Sequence, residues 1–225
     1  MSPSVDVFIG GAITAAIALI GVVAERRWAH KLRKSEKLEE QSAIAFSAQV
    51  KIASAHGWLR STYSAINECF SDAGVGTMSD LDPGVKVKPL VGNPPPAIDF
   101  TAEELALLLG TGDQGLTENL LAFQWTLGTI GELVAAFNRS RIEYSRFVAD
   151  SASSGEFFDG ANATIEMPTS TRHALDARIA ELNTLVGELT TSLPESLQTS
   201  KLMMKRVESA LRSVDGLQIR HVELE

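Results

Sequence analysis

The sequence lacks most of the patterns by which an enzyme or a metal protein is recognised. It has a single cysteine, which excludes an intramolecular disulfide. Its few histidines are scattered, and none stands at the His-x-x-x-His spacing of a zinc site. We therefore predict no catalytic, cofactor-binding or metal-binding residue. The histidines are expected to be solvated, His30 in a basic segment, two on helix surfaces and one in the tail: His56, His173 and His221.

Motifs for nucleotide binding and nucleophilic catalysis are also absent. There is no Gly-x-x-x-x-Gly-Lys loop, no Gly-x-Ser-x-Gly elbow and no Gly-x-Gly-x-x-Gly turn. Cys69 has no basic neighbour in the sequence to activate it, and we place it on an apolar helix face. An enzyme whose site is assembled from scattered polar residues between helices is the alternative hypothesis.

Positive charge is missing ahead of the first apolar run. Residues 7–24 contain no charged side chain, and as a helix they cover about 27 Å. That length approaches the roughly 30 Å thickness of the hydrocarbon layer, so a transmembrane helix is predicted over 7–24, contacting the lipid bilayer. Residues 1–6 then form a short extracytoplasmic tail.

The charges that flank this run indicate its orientation. Residues 25–37 form a basic juxtamembrane segment with six Lys and Arg against two Glu, whereas only Asp6 is charged before the run. The positive-inside rule therefore places the C-terminal side in the cytoplasm, with Trp28 near the headgroups, and our hypothesis is a bacterial protein of the inner membrane. Two alternatives are a signal peptide cleaved after Ala24, which normally has its basic residues before the apolar core, and a buried core helix.

The rest of the chain is acidic. The whole chain carries −8; Asp6 contributes one negative charge and residues 25–37 a net four positive charges, so residues 38–225 carry −11. Clustered Lys and Arg are what neutralise phosphates, so nucleic acid is not an expected partner.

Apolar residues at alternating spacings of three and four predict long helices in this acidic part. One stripe runs from Ile52 to Cys69, a second from Leu116 to Phe137, and a third from Leu175 to Leu193 and on past Pro194. Thr101 and Glu104 have the spacing of a capping box at the start of a short helix ending at Gly110.

These patterns predict an all-α protein, in which a single transmembrane helix precedes an antiparallel bundle. Its three long helices are expected at about 38–72, 117–148 and 169–214, with the Gly/Pro-rich loop 73–98 outside the bundle. Because Pro194 interrupts the last region, residues 169–214 could form either one kinked helix or two helices in a row. Gly10, Thr14 and Ala18 put small residues four apart in the membrane helix, which favours a parallel homodimer. The function expected is a non-catalytic interaction or scaffold module that binds protein partners or itself, with the Pro-rich loop and the acidic helix surfaces as contacts.

Overall fold

The computed structural model describes residues 4–72, 81–90, 98–152, 168–214 and 216–217, and the side chains of these from residue 25 onward except at 72, 114 and 152. The described residues form five helices and no strand. The helices are α1 (Ser4–Asp72), α2 (Pro83–Lys86), α3 (Ala102–Leu109), α4 (Gln114–Ala152) and α5 (Thr169–Arg212). The prediction of an all-α protein with three long helices is therefore confirmed.

Helix α5 packs along both α1 and α4 and runs antiparallel to each. Against α1, Ser200 meets His56, and near the other end Gly216 lies against Leu38. Along α4, Arg206 donates to Asp113, the residue before the helix, and Glu181 accepts from Ser140. Because α5 is antiparallel to both α1 and α4, those two helices are parallel to each other. The segment between them must therefore return along the bundle.

That returning segment is part of the core, so the prediction of a loop lying outside the bundle is wrong for its described residues. Val87 and Ile98 are buried, and the backbone N–H and C=O of Leu90 both pair with the Asn138 side chain of α4. Arg141 donates to the carbonyls of residues 85 and 87. An irregular segment can be buried when side chains satisfy its backbone in this way. Residues 73–80 and 91–97, including the proline run, lie outside the described residues.

The predicted apolar stripes form the core. On α4, residues 116, 120, 123, 127, 130 and 137 are buried; on α5, so are 182, 186, 189, 193, 204, 207 and 211; on α1, so are 52, 55, 59, 62 and 66. Core packing rather than an intermolecular coiled coil thus accounts for these three stripes.

Helix α5 continues through Pro194 as one helix of 44 residues, which answers the question of one helix or two. Proline removes one backbone hydrogen bond from a helix interior. Leu193 and Ser196 on either side of it are buried against the rest of the bundle, and this packing holds the helix together across the defect.

Among the residues whose side chains the structure describes, one helical stretch is long and apolar enough to cross a membrane, Gly115–Ser151 of α4; residues 7–24 lie outside that set. Its length and composition are weak evidence for a span, because the core helix of a soluble protein has the same composition. The side chains of residues 1–24 lie outside the described part, but the backbone of residues 4–24 is helical and continues without a break into the bundle helix of α1.

Candidate functional site

The most exposed described part of the molecule is the arm of α1, residues 25–37. Every side chain of the arm is exposed, and the first partly buried residue is Leu38, against Gly216. The arm is therefore a free helix, about 20 Å long, that projects from one end of the bundle.

The arm has two chemically different sides. At 3.6 residues per turn, spacings of three and four keep residues on one side of a helix. Trp28 and Leu32, 71% and 48% exposed, share one side. The opposite side carries a line of basic residues: Arg26, His30, Arg33 and Lys37. One side of the arm suits an anionic surface, and the other suits an apolar partner.

The apolar side of the arm continues along the bundle. Phe46 and Val50 keep 36% and 41% of their surface exposed and lie 18 residues beyond Trp28 and Leu32. Eighteen residues make five turns, so all four point the same way from α1. We call these four residues the outer face of α1. In the sequence, the outer face is marked only by this 18-residue spacing. That pattern is weaker than the apolar stripe of the core face of α1.

The three histidines that the structure describes are not brought together. His30 is exposed in the arm and His173 is exposed on α5, as predicted. The prediction that His56 lies on a helix surface is wrong, because His56 is buried and its Nδ1 lies 2.8 Å from the Ser200 Oγ. The Ser200 hydroxyl donates to the carbonyl of Leu197, so it accepts the hydrogen bond from His56. This bond joins α1 to α5. Position 221 lies outside the described residues.

Cys69 is half-buried and packs against the core, in agreement with its expected place on an apolar helix face. Within the described residues, no three His, Cys, Asp or Glu side chains are grouped closely enough to hold a metal ion.

The predicted capping box at Thr101 and Glu104 is confirmed, and Glu104 also forms an ion pair with Lys51 of another helix. Its carboxylate, 2% exposed, lies 2.7 Å from the Nζ of Lys51 on α1. Burial by itself would raise the pKa of Glu104. Hydrogen bonds from the side chains of Lys51 and Ser47 and from the Thr101 backbone outweigh burial and hold that pKa below its usual value. The contact fixes α3 on α1, which is a structural role.

Gln49 is the least explained buried residue. Its side chain is fully buried on α1, and neither its amide oxygen nor its amide nitrogen has a hydrogen-bond partner among the described residues. A buried polar group without a partner costs free energy that an apolar side chain of similar shape does not.

We expect Gln49→Leu to raise the free energy of unfolding by about 1–2 kcal/mol, because the unpaired amide is removed and the volume is kept. Urea unfolding of the full chain in mild detergent, followed by circular dichroism, measures this. The matched control is Gln124→Leu, which breaks the bonds of that amide to Asp99 and to the backbone of Phe100. In the control, the free energy of unfolding should fall by about 1 kcal/mol. A loss of stability in Gln49→Leu as well would show that Gln49 has a partner.

Fold and surface together define the class, an all-helical bundle with one long protruding helix. No protein-family model, curated protein or solved structure matches the chain.

Proposed function

We propose that this chain is a single-pass membrane protein, anchored by residues 7–24, whose helical body on the cytoplasmic side acts as a non-catalytic interaction module. The observation that carries the proposal is the form of α1. One helix runs from Ser4 to Asp72, and its basic arm stands free between the apolar run and the bundle.

The arm supports the anchoring in two ways. A continuous helix passes from the apolar run to the body without any unpaired backbone group, as crossing a membrane requires. The basic side of the arm lies where anionic headgroups would be, and each Lys or Arg near such a surface contributes about 1 kcal/mol. The body carries −11 and is repelled by the same surface, which keeps it in the water and accessible to partners.

The competing span, in α4, is less suitable. Its buried apolar residues pack against α5. Arg178 of α5 stacks over the Phe147 ring, and Arg206 of α5 pairs with Asp113, the residue before α4. To enter lipid, α4 would have to leave these contacts and expose the core. An interaction role for the body is supported by the exposed outer face of α1.

Topology fusions test the proposal. With the body in the cytoplasm, a green fluorescent protein at the C-terminus should be bright, and alkaline phosphatase at the same place should be inactive. Replacing Arg26, Arg27 and Lys31 by Gln, with three Lys inserted after Ser2, should reverse both signals. Active phosphatase on the unaltered chain would overturn the proposed orientation.

Deleting residues 2–24 separates the two candidate spans. The full chain should stay in the membrane pellet after alkaline carbonate extraction, whereas the deletion variant should move to the supernatant. If the deletion variant stays in the pellet, α4 and not the N-terminal segment holds the chain in the membrane. If the protein expressed from the full sequence is recovered with the mass of residues 25–225, it has been cleaved after Ala24.

A further inference from the structure

Helix α1 carries apolar surface that remains exposed to solvent. Among the side chains described on α1, the large apolar ones that remain exposed lie on its outer face, one turn apart in two pairs: Trp28 with Leu32, and Phe46 with Val50. Exposed apolar residues on a soluble surface are normally scattered, so a line of them along one helix marks an interaction surface.

Lipid does not account for this line. On a helix that leaves the membrane at residue 24, Trp28 lies at the headgroups. Leu32 is then about 12 Å beyond the hydrocarbon, and Phe46 and Val50 are more than 30 Å beyond it, at 1.5 Å per residue. These three residues face water or a protein.

The same face of α1 is open to close approach further along. At Gly57, two turns beyond Val50, an added Cβ would meet no atom within 4 Å. Glycine inside a helix costs about 0.5–1 kcal/mol relative to alanine, and nothing in its own chain requires it here. Ser61, four residues beyond it, is also small and exposed, whereas Ala53, four residues before it, is small but half-buried against the core. Small residues at this spacing let a second helix approach the backbone.

The charges beside the outer face suit a second copy of the same helix. Lys31 and Glu36, both exposed, flank Leu32 on opposite sides. When two α1 helices lie side by side and parallel, the Lys31 flank of one meets the Glu36 flank of the other, twice by symmetry. In an antiparallel pair like charges would meet. The complementarity therefore favours the parallel arrangement, which is also the one that two chains anchored in one membrane would have.

We propose that the outer face of α1 binds a second copy of this chain, so that two α1 helices run parallel and in register from the arm into the bundle. The 18-residue repeat of the line equals five turns, and a period of 3.6 keeps two helices in contact with little supercoiling. The parallel alignment rests on the proposed membrane anchoring. The small residues at positions 10 and 14 of the sequence precede Trp28 and Leu32 by the same 18 positions.

One residue opposes this dimer and makes it testable in both directions. Glu39, exposed, lies one turn beyond Ser35 on the same line, so the two copies would bring two carboxylates together. Like charges at such a position destabilise a helix pair. Glu39→Leu should therefore strengthen the dimer, and Leu32→Glu should abolish it.

Disulfide cross-linking of the full chain in membranes tests the contact. Cys69→Ser provides a background without cysteine, into which Leu32→Cys or Val50→Cys is introduced. Oxidation should shift either variant to twice the monomer mass on a non-reducing gel. Two controls at exposed positions should stay monomeric: Arg33→Cys on the opposite side of the arm, and Trp125→Cys on the outer side of α4. Glu39→Leu should raise the cross-linked fraction of Val50→Cys, and Leu32→Glu should remove it.

Each outcome decides between this contact and the alternatives. Equal cross-linking at 32, 33 and 50 would indicate random collision and overturn the proposal, and cross-linking at 125 alone would place the interface on α4. A chain that cross-links at 32 and 50 but is recovered in the soluble fraction would keep the dimer and overturn the anchoring. A membrane-bound chain that forms no cross-link at 32 or at 50 would keep the anchoring and overturn the dimer.

Discussion

Gly84→Ala is expected to lower the free energy of unfolding by about 3 kcal/mol, at the upper end of the usual cost of overpacking. A Cβ built on Gly84 would lie 2.5 Å from the carbonyl carbon of Leu182 and 2.6 Å from the nitrogen of Asn183. Both are backbone atoms of α5, which cannot turn away as a side chain can. The turn of α2 would have to move instead, and the 2.7 Å hydrogen bond from the Gly84 N–H to the Asn183 side chain would be lost.

The matched control lies on the same helix. A Cβ at Gly187 of α5 would meet no atom within 4 Å, so Gly187→Ala should raise stability by about 0.5–1 kcal/mol through helix propensity. Urea unfolding of the full chain in detergent measures both variants. If both glycines tolerate alanine equally, the segment around Gly84 does not pack on α5, and the fold described for residues 81–90 is wrong.

Lys51→Met is the second substitution with a large expected effect. It leaves the buried carboxylate of Glu104 without its charged partner at 2.7 Å. Breaking a fully buried ion pair costs about 3–5 kcal/mol, and we expect about 2 kcal/mol here because Lys51 is 24% exposed and partly screened by water. The control Glu143→Gln breaks the exposed 3.7 Å pair with Arg178 and should cost less than about 0.5 kcal/mol.

The pH dependence tests the same contact independently. The pKa of Glu104 is lowered in the folded chain, so its contribution to stability is present above the unfolded value of about 4.3 and is lost as the pH falls through the folded pKa. In Lys51→Met, burial should instead dominate and raise that pKa. The difference in stability between the variant and the original chain should therefore shrink as the pH falls through the raised pKa of the variant, and its charge-dependent part should be gone below the lowered pKa of the original chain. A difference that stays constant with pH would show that Lys51 acts through packing and not through its charge.

The core stripes were readable in the sequence because each helix repeats its own pattern. The spacing of Leu116 to Phe137 needs no knowledge of the partner helix, and the capping box of Thr101 and Glu104 lies within four residues. Contacts between distant positions left no such pattern. His56 pairs with a serine 144 residues away, and Lys51 pairs with a carboxylate 53 residues away. Local spacing carries no information about either partner.

The sequence alone determined the helix content, the apolar run, the charge asymmetry around it and the core faces, because all of these follow from composition and helical period. Tertiary structure decided that α1 and α4 are parallel and that the segment between them is buried. Asn138 and Arg141 bind that segment's backbone, and Gly84 lets it approach α5. Tertiary structure also decided which side of α1 stays exposed, since a helix with apolar residues on two faces buries only the face that finds a partner within its own chain.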